Sequence, residues 1–140
     1  MVPHQVVKKL FILQKRAVRI ILNAGYRDHT APLFANLKIL QLNDLYYFNL
    51  GKFMYKYMNN ALPPCFNTCF FLTSDVHSYN TRSTSRKNLF VRYNRTSLYR
   101  NSLVQRGITY WNNLNDPLKA SLTLLNFAKK RKTQLLSAYT

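Results

Sequence analysis

The sequence contains very little negative charge. Its 140 residues include 21 lysines and arginines but four acidic residues, all of them aspartate, so the formal net charge is +17. Because four carboxylates neutralise at most four cations, such a chain repels itself unless a polyanion is present. The candidate polyanions are nucleic acid, an anionic membrane surface and an acidic protein.

The shortage of carboxylates also argues against an enzyme. Asp28, Asp44, Asp75 and Asp116 are 16, 31 and 41 residues apart, each at a predicted turn or helix start. Metal-dependent phosphoryl transfer needs two or three converging carboxylates. The chain has three glycines and neither a P-loop nor a nucleophile-elbow pattern. We therefore expect no catalytic residues and no cofactor, with the aspartates serving as caps and turn residues.

Cysteines and long apolar runs are also scarce. Two cysteines cannot form a disulfide framework, and no apolar run approaches the roughly 20 residues of a membrane span. We expect an intracellular protein, nuclear and/or cytoplasmic, although the acid-free basic N-terminus is also typical of mitochondrial transit peptides. Cys65, Cys69 and His77 leave open a zinc site, but Arg82 stands where a fourth ligand would follow and cannot bind zinc.

Aromatic residues, in contrast, are abundant. Ten tyrosines and nine phenylalanines are interleaved with the cations. Aromatic faces and phosphate-binding cations are what single-stranded bases and backbones require, so nucleic acid fits best among the polyanions. The alternative is that most of these rings lie in the core, since 47% hydrophobic residues suffice for a folded domain.

Apolar residues at three- and four-residue spacing predict three helices in the first half. The first covers residues 6–23, has a basic face and is expected to end at Gly25. A short helix over 31–37 follows, with Thr30 as its cap, and a third runs from 42 to about 59.

The second half predicts a connector, a hairpin and two helices. Residues 62–88 form a basic connector rich in Ser, Thr, Asn and Pro, and alternation over 89–93 followed by the run 98–103 predicts a short β-hairpin. Helical spacing returns over 104–114 and over 124–136, the last helix being capped by Ser121 or Thr123. The expected fold is mainly α, a small helical domain with one β-hairpin between two helical halves, 1–61 and 89–140.

Several strings of the sequence together resemble a known family. They are LQKRAVRIILNAGYRDHTAPLFANLKILQLNDLYYFNLGKFMYKYMNNALPPCF, HSYNTR, RGITYWNNLNDPLKAS and NFAKKRKTQLLS. In this order they resemble the C-terminal region of reverse transcriptases of LINE-type (non-LTR) retrotransposons, especially jockey-like elements. The resemblance covers nearly the whole chain.

This resemblance implies a piece of an RNA-directed DNA polymerase without its catalytic centre. In such polyproteins the region follows the palm and thumb, and the Y-x-D-D active site lies upstream; nothing in these 140 residues matches that motif. Some LINE-type elements end in a knuckle of three cysteines and one histidine. Cys65, Cys69 and His77 match three of those ligands in spacing, and Arg82 replaces the fourth.

The candidate binding residues lie mainly in the acid-free stretch from 77 to 106. The predicted phosphate contacts are Arg82, Arg86, Lys87, Arg92, Arg95 and Arg100. The predicted stacking partners of bases are Tyr79, Tyr93 and Tyr99. A second basic patch on the last helix consists of Lys129, Lys130, Arg131 and Lys132, for which a solvated helix face is the alternative.

The expected function is non-catalytic binding of template RNA or target DNA, largely independent of sequence, by a tail of a retrotransposon polymerase. We expect no small-molecule substrate and no membrane, but contact with the upstream polymerase domain stays open. The alternative is a helical interaction module, with Trp111, Leu114, Phe127 and Leu135 as its apolar face. A basic ribosomal or mitochondrial RNA-binding protein is a third interpretation.

Overall fold

The structure, a computed structural model, describes residues 4–79 and 81–139. These residues are mainly helical, as predicted. The helices are α1 (His4–Ile21), α2 (Thr30–Asn36), α3 (Leu42–Met58), α4 (Thr73–Val76), α5 (Arg82–Ser85), α6 (Ser97–Arg100), α7 (Leu103–Asn112), α8 (Asp116–Lys119) and α9 (Leu124–Ser137), with a 3-10 turn at Pro64–Phe66. Within the described ranges, every helix is too short or too polar to cross a membrane.

Four helices end at a residue with left-handed backbone geometry, and none of the four residues is glycine. They are Asn23, Lys38, Asn60 and Lys87. At α1, the Asn23 and Ala24 N–H groups donate to Ile20 and Arg19 carbonyls, which is the Schellman arrangement. The prediction that Gly25 provides the stop was therefore wrong by two residues, because asparagine also tolerates positive φ.

The chain divides into two compact units. Unit 1 comprises Met1–Phe48 and Lys129–Thr140, and unit 2 comprises Asn49–Ala128. These bounds differ from the predicted halves 1–61 and 89–140, because α3 and α9 each contribute residues to both units. They also place the whole predicted connector, 62–88, inside unit 2.

Unit 2 has an aromatic core. Its buried members are Met54, Tyr55, Phe70, Leu89, Ile108, Trp111, Leu114, Leu118 and Phe127. The Phe127 ring stacks on Tyr55 with centroids 4.9 Å apart and lies 6.5 Å from Trp111. Because Phe70 belongs to this core, the predicted connector contributes to the packing of unit 2.

The predicted β-hairpin was wrong. Among the described residues the β contact is an isolated antiparallel bridge between Leu72 and Leu89. The Asn112 side-chain amide donates to the Leu89 carbonyl (2.8 Å) and accepts from its N–H (2.9 Å), so a helix side chain replaces a partner strand.

The second predicted strand, 98–103, is helical for a local reason. The Thr96 hydroxyl accepts from the Tyr99 N–H at the start of α6, and the Ser102 hydroxyl accepts from the Gln105 N–H at the start of α7. These caps satisfy backbone donors that a strand would present to a neighbour. The alternation in so short a run was therefore a weaker signal than the two capping residues.

Unit 1 has a smaller core, which polar bonds support. Val18, Phe34 and Tyr139 are its buried cluster. The Gln14 amide donates to the Leu40 carbonyl and accepts from the Leu42 N–H, both at 3.0 Å. These bonds attach α1 to the start of α3.

Candidate nucleic-acid interface

Two of the four carboxylates are used to hold backbone turns. The Asp28 carboxylate accepts from the Gly25 N–H at 2.6 Å, and the Asp75 carboxylate accepts from the Leu72 N–H at 3.1 Å. Both bonds are local and belong to a turn and to the start of α4. These contacts agree with the turn and capping roles expected from the sequence.

The other two carboxylates bind side chains. Asp44, in the first turn of α3, accepts a hydrogen bond from the Tyr139 hydroxyl. Asp116, in the first turn of α8, lies 3.6 Å from Arg86 Nε with both side chains largely exposed. An exposed pair of this kind contributes little to stability. The 21 cations of the chain therefore stay largely uncompensated.

The predicted stacking tyrosines are all on the surface. Tyr93 is 91% exposed, Tyr79 77% and Tyr99 41%. Tyr93 lies in the extended segment between the Leu89 bridge and α6, and Tyr99 lies in α6. Large aromatic rings are usually buried, so this exposure leaves their faces available to a ligand.

The predicted phosphate contacts lie along the same segment of unit 2. Arg82 begins α5, Arg86 directly follows that helix, and Arg100 ends α6. Lys87, Arg92 and Arg95 lie between α5 and α6, and all six side chains are exposed. The Arg92 guanidinium lies over the Phe71 ring at 4.8 Å, which holds this side chain at the surface. Within the described part of the chain, the side chains of Arg82, Arg95 and Arg100 have neither a hydrogen bond nor an ion pair.

Two of these cations line a cleft that also contains Lys119. The cleft has a volume of about 450 Å³ and is lined by Arg86, Lys87, Trp111, Asp116 and Lys119 together with the end of α3. Lys119 Nζ donates to Asn88 Oδ1 at 3.0 Å, and burial lowers the pKa of Lys119 while Asp116 partly opposes that shift. Lys119 is not among the residues predicted from the sequence; it lies three residues after Asp116, which was expected at a turn or helix start.

The second predicted patch lies on α9, in unit 1. Lys129, Lys130 and Lys132 are exposed, whereas Arg131 donates to Gln134 Oε1 at 2.8 Å. The predicted residues are therefore divided between two units. The stretch from Tyr79 to Arg100 belongs to unit 2, and 129–132 belongs to unit 1.

Unit 1 also contains a basic and aromatic surface that the sequence analysis did not single out. Two clefts, of about 570 and 390 Å³, share Arg16, Arg19 and Tyr26 in their walls, and Lys15 and Arg27 complete the smaller one. Tyr26 is 80% exposed. Arg19 donates to the Asp28 carbonyl from Nη2 (2.9 Å) and Nε (3.3 Å), which fixes the turn carrying Tyr26 against α1.

A signal for this surface was present in the sequence. The sequence predicts a basic face on the first helix, and the tripeptide Gly25, Tyr26, Arg27 follows the predicted helix 6–23 closely. The Schellman turn at Asn23, which redirects the chain after α1, was not predicted from the sequence.

The three zinc-type residues do not form a metal site. Among residues 4–79 and 81–139, no three histidine, cysteine or acidic side chains lie close enough together to hold an ion. Cys65 is exposed, and the Cys69 thiol faces the Cys65 carbonyl at 3.9 Å. The His77 ring instead lies edge-on to Phe90, with centroids 6.0 Å apart.

Comparisons of the chain with protein-family models, with curated proteins and with solved structures found no match. A function therefore has to be inferred from the arrangement of the chain's own residues and from the resemblance described above.

Proposed function

We propose that this chain is a non-catalytic nucleic-acid-binding module derived from the C-terminal region of a LINE-type retrotransposon reverse transcriptase. Its ligand is single-stranded RNA or DNA, bound largely without regard to sequence. The retrotransposon origin rests on the resemblance, and the binding role rests on the charges and exposed rings of the described residues.

One observation carries the binding role. In unit 2, exposed tyrosines alternate with exposed arginines along one segment, from Tyr79 to Arg100, that contains no carboxylate. Guanidinium groups bind phosphate oxygens in a planar, two-point geometry, and tyrosine faces accept any base. A segment with both groups exposed supports contact with backbone and bases at once.

Within this segment the residues have different roles. Arg82, Arg95 and Arg100 contact phosphates, since their side chains are unengaged in the described structure. Tyr93, the most exposed ring, stacks on a base. Because none of these contacts reads a base edge, affinity depends on salt and on strandedness rather than on sequence.

The direct test is a salt titration with fluorescent single-stranded RNA and DNA of mixed sequence. We expect micromolar or tighter binding at about 50 mM salt, weakening steeply towards about 200 mM, with a slope that grows with the number of phosphates bound. Affinity that is unchanged across this range would contradict the proposal. A duplex of equal length serves as the comparison, and it should bind more weakly because its bases cannot stack on tyrosine.

The stacking role is tested by a pair of substitutions at one position. Tyr93→Ala should weaken single-strand binding by about 1 to 3 kcal/mol, whereas Tyr93→Phe keeps the ring and should bind like the wild type. Loss of binding in both variants would indicate a role for the hydroxyl instead. Circular dichroism should show the same helix content in all three proteins, because Tyr93 is outside the core.

The origin is tested by the genomic sequence upstream of the codon for Met1. A reading frame, intact or broken, that encodes Y-x-D-D within a few hundred residues would support a retrotransposon polymerase. A promoter directly upstream, with no polymerase remnant, would contradict that origin without affecting the binding role.

The alternative function, an interaction module, rests on four apolar residues, three of which are buried. Trp111, Leu114 and Phe127 are buried in the core of unit 2, and Leu135 is half-buried. Trp111, Leu114 and Phe127 therefore pack within unit 2 and do not provide an apolar face for a partner.

A further inference from the structure

Tyr26 and Arg27 are held at the surface of unit 1 by a closed turn. They are the two central residues of a β-turn, in which the Asp28 N–H donates to the Gly25 carbonyl at 3.1 Å and the Asp28 carboxylate accepts from the Gly25 N–H at 2.6 Å. Arg19 attaches this turn to α1 through its two hydrogen bonds to the Asp28 carbonyl. The backbone of Tyr26 is therefore positioned against α1, although the side chain is 80% exposed.

Two clefts lie beside this turn and share a wall. The shared residues are Arg16, Arg19 and Tyr26. The larger cleft, of about 570 Å³, adds two apolar side chains, Ile20 and Ala24, and the exposed residue Asn23, whose amide both donates and accepts hydrogen bonds. An aromatic ring, aliphatic surface and one amide form a lining that suits a planar heterocycle.

The smaller cleft, of about 390 Å³, is cationic. Lys15 and Arg27 join the two shared arginines in its wall, which Ile12 completes. The Lys15 ammonium lies 4.3 Å from the centroid of the Phe11 ring, which positions this cation. The carboxylate of the adjoining turn, Asp28, lies in neither wall. Several cations around one small cleft favour a phosphate group as the ligand.

We propose that the two clefts form a nucleotide site in unit 1, separate from the Tyr79–Arg100 segment of unit 2. The base stacks on Tyr26 in the larger cleft, and the phosphate lies in the smaller cleft against Lys15 and Arg27. Arg16 belongs to both walls and joins the two parts. The ligand is a nucleoside phosphate with an unpaired base, either free or as one unit of a single strand.

The two different linings favour a nucleotide over other anions. An acidic peptide supplies carboxylates for the cations but no planar ring for Tyr26. A membrane surface is flat, so its headgroups meet protruding side chains rather than the walls of a cleft. The closed turn also lowers the cost of binding, because the chain that carries Tyr26 and Arg27 is ordered before the ligand arrives.

Photochemical crosslinking with the full chain tests the site. A single-stranded oligonucleotide carrying 5-iodouridine is bound, irradiated and digested with trypsin, because iodouridine couples to an aromatic ring that stacks on it. The tryptic peptide 20–27 contains one aromatic residue, Tyr26, so its mass identifies the site. We expect crosslinks on this peptide; crosslinks confined to other peptides would overturn the proposal.

Competitors then show which parts of the ligand are recognised. Uridine monophosphate should reduce the crosslinking yield at Tyr26, whereas uridine and inorganic phosphate should each need at least about tenfold higher concentrations. Inorganic phosphate that competes as well as the nucleotide would show a plain anion site and would overturn the proposal. A tetranucleotide that competes better than the monophosphate identifies a strand as the source, and equal competition identifies free nucleotide; both results support a nucleotide site.

Substitutions separate the site from the overall charge of the chain. Arg16→Gln removes a cation of both walls and should lower the yield at Tyr26 about tenfold at subsaturating oligonucleotide. Lys8→Gln is the matched control, because Lys8 is an exposed cation of the same helix that lines neither cleft. Tyr26→Phe keeps the ring and should keep the crosslink. Equal yields in Arg16→Gln and Lys8→Gln would show dependence on net charge alone and would overturn the proposal.

Failure of this site is distinguishable from failure of the proposed function. Crosslinks at Tyr93 report on the segment in unit 2, and Tyr93→Ala should leave the yield on peptide 20–27 unchanged. Absence of a crosslink at Tyr26, together with binding to vesicles of anionic lipid that Tyr26→Ala abolishes, would assign the clefts to a lipid headgroup and would overturn the proposal.

Discussion

Unit 2 packs Met54, Trp111 and Phe127 into one aromatic core, whereas the buried cluster of unit 1 is Val18, Phe34 and Tyr139. Unit 1 adds polar bonds from Gln14 and Tyr139. An apolar core tolerates changes in pH and salt, because burial does not depend on a protonation state. The bond between the Tyr139 hydroxyl and the Asp44 carboxylate does depend on protonation, so this part of unit 1 should respond to pH.

The surfaces of the two units differ less than their cores. In unit 2, the exposed Tyr93 lies close in sequence to Arg95, whose side chain has neither a hydrogen bond nor an ion pair among the described residues. In unit 1, the exposed Tyr26 shares a cleft with Arg19, whose side chain is hydrogen-bonded to the Asp28 carbonyl. Substitutions in the core of a unit can therefore change its stability without changing its exposed tyrosine.

Phe127→Ala should destabilise unit 2 most strongly. The ring is fully buried and stacks on Tyr55, so its loss should lower the free energy of unfolding by about 3 to 5 kcal/mol. Thermal unfolding followed by near-ultraviolet circular dichroism measures the change. Leu125→Ala, at an 81% exposed position of the same helix, is the control and should stay within about 0.5 kcal/mol.

Asn112→Ala should have the next largest effect. Removing the amide leaves the Leu89 N–H and carbonyl without their partner, which costs about 2 kcal/mol. Hydrogen exchange should then increase at Leu89. Asn113→Ala, an exposed neighbour, should leave exchange there unchanged; equal effects of both substitutions would show that the two bonds do not matter.

Tyr139→Phe should destabilise unit 1 by a similar or smaller amount. The hydroxyl donates to the Asp44 carboxylate and accepts from the Gln41 N–H at 3.0 Å. Hydrogen bonds to charged groups are worth about 1.5 to 3 kcal/mol, and solvent near Asp44 should reduce the loss. Faster hydrogen exchange in 30–44, with exchange in 103–112 unchanged, would confirm that the effect is confined to unit 1.

The same tyrosine gives unit 1 an alkaline sensitivity. Burial, and next the hydrogen bond to Asp44, raise the pKa of Tyr139 to about 12 from its ordinary value of 10.0. The unfolded chain therefore loses this proton first as pH rises. The contribution of Tyr139 is complete below pH 10 and is lost between about pH 10 and 12. Unfolding in urea across this range should show a steeper decline for the wild type than for Tyr139→Phe; parallel declines would contradict the assignment.

The sequence predicted the long helices well, because their signals are local. Apolar spacing located α1, α3, α7 and α9, and Thr123 caps α9 as one of the two expected candidates, accepting from the Asn126 N–H at 3.2 Å. The predicted hairpin was wrong because the side chain that forms hydrogen bonds with Leu89 is distant in sequence. Alternation cannot show that Asn112, 23 residues away, supplies the partner.

For the candidate interface, the sequence predicted residue types but not their grouping. Charge and aromatic content pointed to Arg82 through Arg100, and the exposure of Tyr93 agrees with a surface role. The surface around Tyr26 depends on the turn after α1, and the position of Lys119 depends on the short helix α8; neither element was predicted. Whether a lysine or arginine forms a hydrogen bond or an ion pair depends on the side chains around it, and sequence spacing alone does not identify these.

The most direct test of the central claim is the salt dependence of single-stranded RNA binding by the variant Arg82→Gln, Arg95→Gln, Arg100→Gln. Each lost phosphate contact should reduce the slope of log affinity against log salt by about 0.7, so the variant should lose about 2. Lys56→Gln, at an exposed position of α3, is the control and should keep the wild-type slope. A triple variant with the wild-type slope and affinity would contradict the account, because these three arginines would then not touch the nucleic acid.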